Sequence, residues 1–240
     1  MAYVHEPGSY AEHILAKAEH LINLPPELSF EQGAAFPLQG MTAHYLLHEF
    51  RKVKANDTVL IHAAAGGMGL LLVQWAKHLG ARVLGTTSTE EKAEIAKKAG
   101  ADEVILYSKQ DFVTEVKRLT NRRGADLIID GVGKTTFAGN LEAAALRGHI
   151  VIFGAASGPA DPIAPNALMQ KSLTISGGSL FNYILSTEEL MKRARAVIEG
   201  VLHGWLKLRI DHMFPLEKAA EAHQKLEGRE TSGKVLLNIC

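Results

Sequence analysis

The sequence predicts an α/β fold built on a doubly wound, six-stranded parallel sheet, and three observations carry that prediction. The first is an apolar run of strand length, Thr58-Val59-Leu60-Ile61-His62-Ala63. It enters a glycine-rich turn and leaves into a stretch with helical spacing, Leu70-Leu71-Leu72-Val73-Gln74-Trp75-Ala76. The second is the alternation that follows. Strand-like runs at 58–63, 82–86, 103–107, 126–130, 149–154 and 172–177 are separated by helical patterns near 67–79, 90–99, 111–120, 135–146 and 165–170. The third is punctuation: Gly80 and Gly100 follow the first two helices, where a C-terminal cap calls for positive φ. Strands that alternate with helices pair in parallel through right-handed crossovers. Ligands of such sheets bind in the crevice at the strands' carboxyl ends.

The first turn is the most informative element. Ala64, Gly66 and Gly69 occupy the three small positions of G-x-G-x-x-G, with alanine in the first. Small residues allow a tight turn and close backbone approach to a pyrophosphate, and the helix that follows offers unpaired N–H groups and a positive dipole end. Glycine-rich turns before helices also occur for packing alone, but the flanking strand and helix favour a dinucleotide site.

The second strand bears on which dinucleotide. A site for the unphosphorylated ribose places Asp or Glu at this strand's end. Here the end reads Gly85-Thr86-Thr87-Ser88-Thr89-Glu90-Glu91-Lys92, with hydroxylated residues at the tip and a lysine one helical turn beyond Ser88. That pattern suits a 2′-phosphate and therefore NADPH. The bland alternative makes Ser88 a helix cap and Lys92 a solvated surface lysine. Tyr107 ends the third strand, where its face could cover an adenine or ribose edge. Small residues also end the fourth and fifth strands, in Asp130-Gly131-Val132-Gly133 and Phe153-Gly154-Ala155-Ala156-Ser157-Gly158.

The remaining segments flank this core. Residues 1–40 hold strand candidates at 10–16 and 21–24 and a capping box at Ser29 and Gln32 that starts a helix through Ala35. A helix is expected over 41–50, with His44 and His48 one turn apart. No third metal ligand follows in a usual spacing, so this pair is read as structural. After Gly177 a helix from Thr187 to Leu202, an extended run 212–216, a helix 217–226 and a strand 234–239 are expected.

Composition narrows the partners. The 240 residues carry 26 Lys and Arg against 26 Asp and Glu, which makes no electrostatic case for nucleic acid or a membrane surface. A single cysteine, Cys240, leaves no disulfide framework and no cysteine-based zinc site. No run of about 18 apolar residues is present, and the expected setting is the cytoplasm.

Four strings together resemble the quinone oxidoreductase, zeta-crystallin-like branch of the medium-chain dehydrogenase/reductase family. They are Pro37-Leu38-Gln39-Gly40-Met41-Thr42-Ala43, the turn Ala63 to Gly69, Gly100-Ala101-Asp102, and Ser232-Gly233-Lys234-Val235. The resemblance runs across essentially the whole chain. It implies a Rossmann domain at 41–179 and a GroES-like catalytic domain formed from both chain ends, 1–40 and 180–240. It also implies that most of the GroES-like domain lies upstream of Ala2, so that this chain carries a truncated one and turns over weakly.

The same resemblance assigns roles. Thr42 lies near the nicotinamide; Ala65, Gly66, Gly67 and Met68 cradle the pyrophosphate. Ser88, Lys92 and Tyr107 surround the 2′-phosphate and ribose. Phe153, Gly154 and Leu180 line the nicotinamide side, and Arg229 supplies a second basic group. No catalytic side chain is assigned. The implied activity is zinc-independent hydride transfer from NADPH to a quinone, in a homodimer that pairs through the 173–176 strand. An enoyl or enone reductase of the same family and a non-catalytic NADPH binder are the alternatives.

Overall fold

The computed structural model describes residues 1–4, 8–228 and 230–239. Near the amino terminus Ala2 and Ile22 form an isolated antiparallel bridge through two hydrogen bonds of 2.8 and 2.9 Å. The strands expected at 10–16 and 21–24 do not form, and Leu15 stands 97% exposed. A lone extended segment is not stable without a neighbour to take its N–H and C=O groups. The capping box does form: Ser29 Oγ accepts from Gln32 N–H and Gln32 Oε1 accepts from Ser29 N–H, starting α1 (Phe30–Ala35). Helix α2 (Pro37–His48) starts earlier than its apolar pattern because Pro37 occupies the first helical position, where its missing N–H has no cost.

The alternating core follows as β1 (Thr58–Ile61), α3 (Gly67–His78), β2 (Arg82–Thr87), α4 (Glu90–Lys98), β3 (Glu103–Leu106), α5 (Phe112–Leu119), β4 (Ala125–Asp130), α6 (Phe137–Ala143), β5 (Ala144–Ile152) and β6 (Thr174–Gly177). All six strands are parallel, in the order β3-β2-β1-β4-β5-β6. This is the doubly wound arrangement. Gly80 and Gly100 adopt φ of 83° and 114°, as helix-ending glycines do. Helix α6 stops at Ala143, short of the expected 146. Ala144 already pairs with Ala125, and Arg147 at φ 58° accompanies the register shift within β5. Residues Pro165–Lys171 form a 3-10 helix instead of an α-helix.

Successive residues of the central strands face opposite sides, and each side has its own core. Val59, Ile61, Leu127 and Ile129 join the cluster built on α2, α3 and α7 (Thr187–Leu202). Leu60, Leu84, Ile128 and Ile150 join the one beneath α5 and α6. The chain closes with β7 (Ile210–Pro215), α8 (Ala219–Glu227) and β8 (Lys234–Asn238). Strands β7 and β8 form a separate parallel pair, and α1 packs against β8. No helix among the described residues is long and apolar enough to cross a membrane.

Helices α2 and α7 are locked together by Arg193, which is only 2% exposed. Its Nη2 donates to Glu49 Oε1 at 2.8 Å, its Nη1 to Glu189 O at 3.0 Å, and its guanidinium lies 5.6 Å from the Tyr183 ring centroid. Tyr183 stacks on Tyr45, whose hydroxyl donates to Gly178 O. The segment after β6 is thereby held against α2.

His44 and His48 stack with ring centroids 4.5 Å apart, each edge-on to Trp75. His44 is buried, its Nδ1 has no hydrogen-bond partner, and burial first, then the nearby cations, pushes its pKa from 6.5 down to about 3. Between those values the unfolded chain binds a proton that the folded one does not. Stability therefore falls as pH falls from 6.5 towards 3, by at most about 1.4 kcal/mol per pH unit from this group. His44→Phe is expected to flatten that acid limb while keeping the neutral-pH melting temperature equal or higher. Melting curves from pH 7 to 4 with unchanged slope would refute this account.

Candidate dinucleotide site

The site is assembled at the carboxyl edge of the six-stranded sheet. Beyond β1, Ala63 takes φ of 51°, and Ala64 N–H donates to Thr86 O at 3.0 Å, tying the turn to β2. Gly66 is the N-cap of α3 and no side chain caps that helix. Its first-turn N–H groups therefore have no capping side chain, as an anion site at a helix N-terminus requires. The glycines here are clearances. A Cβ on Gly69 would collide with Ala63 O and come within 2.7 Å of the Ala64 backbone. A Cβ on Gly85 would lie 2.7 Å from the Ala64 methyl, so this β2 glycine makes room for alanine at the first small position of the turn. Ala65 is buried, whereas Gly67 and Met68 are half-buried in the first turn of the helix.

Three groups of sequence-predicted residues are brought to this edge. Ser88 follows β2 and Tyr107 follows β3. They are adjacent strand ends joined by Ser108 Oγ donating to Ser88 O at 2.8 Å and by Tyr107 N–H donating to Thr87 O. Tyr107 is 52% exposed, its face open to a ligand. Lys92 lies in the first turn of α4. The cap of that helix is Thr89, whose Oγ1 accepts from Lys92 N–H at 3.2 Å, and not Ser88. Threonine takes that role because it sits three residues before the N–H it caps. The first carboxylate past the β2 tip, Glu90, is engaged by Lys109 at 2.6 Å.

On the other half of the edge, Phe153 and Gly154 leave β5 directly over the loop after β4. A Cβ on Gly131 would lie 2.6 Å from the Phe153 ring, and one on Gly154 would lie 3.0 Å from Gly131 O. Leu180 opens the short 3-10 helix Leu180–Tyr183 and is buried in the same hydrophobic cluster against which Met68 and Phe153 pack. Thr42 is buried on α2. Arg229 lies outside the described residues.

Sequence reasoning missed what backs the turn. The position of a Cβ on Gly67 is 2.9 Å from both Gln39 amide atoms and 3.0 Å from Gly233 O. Lys234 lines the same small cavity, and burial pushes its ammonium below the usual lysine range. Gln39, Gly233 and Lys234 stand in the strings that carry the family resemblance, but of these only Gly233, at φ 130°, has a local conformational signature. A larger cavity of about 500 Å³ lies along α3, α4 and the Trp205–Arg209 segment. Most of its helical lining comes from the C-terminal halves of α3 and α4, away from the glycine-rich turn. Among the described residues no three His, Cys, Asp or Glu side chains gather as a metal site.

The chain matches known proteins along nearly its whole length. Residues 67–196 fit the family described as "Zinc-binding dehydrogenase". A 2-haloacrylate reductase of Burkholderia is 43% identical, with 96% of this chain and 70% of the relative covered. A quinone oxidoreductase of Pseudomonas aeruginosa is 40% identical, with 99% and 74% covered. Among solved structures, the Escherichia coli quinone oxidoreductase complexed with NADPH superposes with a TM-score of 0.88 at 39% identity, covering 92% of this chain and 68% of that one.

Because the Gly69 clash is with backbone, which cannot swing aside, Gly69→Ala is expected to lower stability by about 1–3 kcal/mol. It should weaken NADPH binding in parallel. Urea unfolding together with NADPH titration checks both; a variant within error of the parent in both would show that the turn tolerates the methyl.

Proposed function

The chain belongs to the quinone oxidoreductase branch of the medium-chain dehydrogenase/reductase family, and from that premise we propose that it is an NADPH-dependent oxidoreductase that reduces a quinone without zinc. The observation that carries the reading is the carboxyl edge of the sheet. There an uncapped helix N-terminus, a β2 tip without a carboxylate and two interlocked glycine loops lie along one line of strand ends. When bound, NADPH would supply the hydride from its nicotinamide ring.

The protein's own part is binding, orientation and exclusion of water. Gly67 and Met68 present N–H groups to the pyrophosphate, while Gly66, whose own N–H donates to Ala63 O at 2.9 Å, shapes the cradle and Ala65 packs behind them. Ser88 donates to the 2′-phosphate, Lys92 brings positive charge to it, and Tyr107 covers the adenosine. Phe153, Gly154 and Leu180 wall the nicotinamide side, with Thr42 near the ring. The zinc-free reading rests on the family resemblance and on the sequence's single cysteine, Cys240, which allows no cysteine-based zinc site. A quinone also makes little demand for a general acid, because its reduced oxygens can take protons from solvent.

A second reading, reduction of an activated alkene, is favoured by the likeness to a 2-haloacrylate reductase. Steady-state rates with 1,4-benzoquinone and with 2-chloroacrylate, both driven by NADPH, discriminate the two. Turnover of neither, with NADPH bound, would favour a non-catalytic binder.

We place the Rossmann unit at 41–179, with 1–40 and 180–240 together as the GroES-like part; the packing of α1 on β8 supports that pairing. The proposed setting is the cytoplasm. A homodimer through β6 is supported by that strand's position at the sheet edge, where its outer N–H and C=O groups are available to a second copy. Sedimentation as a monomer at micromolar concentration would refute the dimer.

Cofactor preference gives the sharpest test of the assigned residues. A hydrogen bond to a charged group contributes about 1.5–3 kcal/mol, so Lys92→Ala should weaken NADPH by about ten- to a hundredfold and leave NADH nearly unchanged. Calorimetric titration of both cofactors measures it. Equal loss for the two would remove Lys92 from the phosphate site, and tighter binding of NADH by the unmodified chain would overturn the NADPH assignment.

A further inference from the structure

Beneath the proposed cofactor crevice lies a continuous polar network in which His62, Thr86, Asp130 and Asn140 are buried and Thr136 is half-buried. Asp130, at the end of β4, is 0% exposed, and its carboxylate accepts hydrogen bonds from four neutral donors. Val132 N–H and Gly133 N–H reach Oδ1 at 2.7 and 3.1 Å, while Thr136 Oγ1 and Asn140 Nδ2 reach Oδ2 at 2.7 and 2.6 Å. Thr136 Oγ1 also lies 3.1 Å from Gly133 O, but the carboxylate is the nearer and the charged acceptor.

The chain of bonds continues to the other strands. Because Asn140 donates through its amide nitrogen, its oxygen faces His62 Nε2 at 2.7 Å, and that nitrogen is assigned the proton. His62 Nδ1 is then left to accept from Thr86 Oγ1 at 3.1 Å. His62 is buried, burial pushes its pKa down, and the Phe112 ring meets it edge-on at 5.0 Å. One network thus ties the ends of β1, β2 and β4, and each of those ends carries a crevice loop.

Asp130 is where the network meets the nicotinamide half. Its backbone carbonyl accepts from Phe153 N–H at 3.0 Å, and its carboxylate fixes Val132 and Gly133. Between them, Gly131 sits under the Phe153 ring and accepts from Ala156 N–H at 3.1 Å. We infer that Asp130, held by Thr136 and Asn140, is a positioning residue that sets the 131–133 loop and, through it, the seat of Phe153 and Gly154 for the nicotinamide end of the dinucleotide. This rests on the NADPH reading above. It separates the two halves of the site, because the Ser88–Tyr107 end is supported by other bonds.

Thr136 is the place to test it. The residue is only half-buried, and removing its hydroxyl leaves the carboxylate its three other donors. Two probes are titrated: 2′,5′-ADP for the adenosine end and NADPH for the whole site. Thr136→Val and Thr136→Ala should each weaken NADPH about tenfold, at the low end for one lost charge-assisted hydrogen bond. Binding of 2′,5′-ADP should stay within twofold, and the fluorescence of bound nicotinamide should fall towards that of free NADPH. Thr136→Ser, which keeps the donor, should restore parent values. Equal loss for both probes would mark a merely structural role and overturn the inference, as would unchanged NADPH binding in Val and Ala. An unmodified chain that binds neither probe would instead overturn the NADPH reading, and this inference with it.

Discussion

The structure depends on one steric constraint: backbone must approach backbone where β1 ends and α3 begins. Ala63 turns through positive φ, Ala64 bonds across to β2, and the first turn of α3 passes so close above them that position 69 has no room for a side-chain carbon. That clearance fixes where α3 lies over the sheet, and the crossovers to β2 and β3 follow from it. It also decides the chemistry of the crevice. A helix brought in so tightly, with no side-chain cap, holds its first N–H groups at fixed places, the arrangement that the proposed pyrophosphate cradle would use without ordering flexible groups.

The crevice therefore divides the labour between backbone and side chains. Its loop interlocks come mainly from glycine positions, where a single added carbon would meet backbone or ring atoms. In the proposed reading, discrimination between cofactors falls to the few side chains at the β2 and β3 ends, where Glu90 is already engaged by Lys109 and the strand tip itself carries no carboxylate. Buried polar groups are costly unless every one is satisfied. In the Asp130 network each carboxylate oxygen accepts two bonds and both His62 nitrogens are engaged. Such a network holds one arrangement of the strand ends, since any shift strands a donor or an acceptor.

Away from the crevice, the α2–α7 pair plays the corresponding part for the cluster facing α3. Arg193 is a buried cation that bonds Glu49 and the Glu189 carbonyl and lies over Tyr183. Breaking such a pair costs more than forming it contributes, because the remaining charge stays buried. Its consequence is positional: the Tyr45–Tyr183 stack and the Gly178 hydrogen bond set the segment on which Leu180 sits.

What the sequence determined by itself is everything that short-range backbone sterics control. The strand–turn–helix at 58–76, the capping box at Ser29 and Gln32, the helix-ending glycines and the six alternating strands were legible because period, propensity and turn chemistry are properties of neighbouring residues. The absence of an acid at the β2 tip was legible for the same reason, since it depends only on where one strand stops. The rest was decided by residues that meet only in three dimensions. Segment 10–16 is short and apolar enough for a strand but pairs with no strand among the described residues. The α6 pattern yields to β5 at Ala144 because Ala125 claims it as a ladder neighbour. Thr89 rather than Ser88 caps α4, a difference of one residue that the geometry of the β2 exit settles. Gln39 and Gly233 converge on Gly67 from opposite ends of the chain, and Asp130 reads in sequence as one more strand-end acid until His62 and Asn140 are placed beside it. Burial and hydrogen-bond satisfaction belong to the neighbours that folding supplies, and no local pattern encodes them.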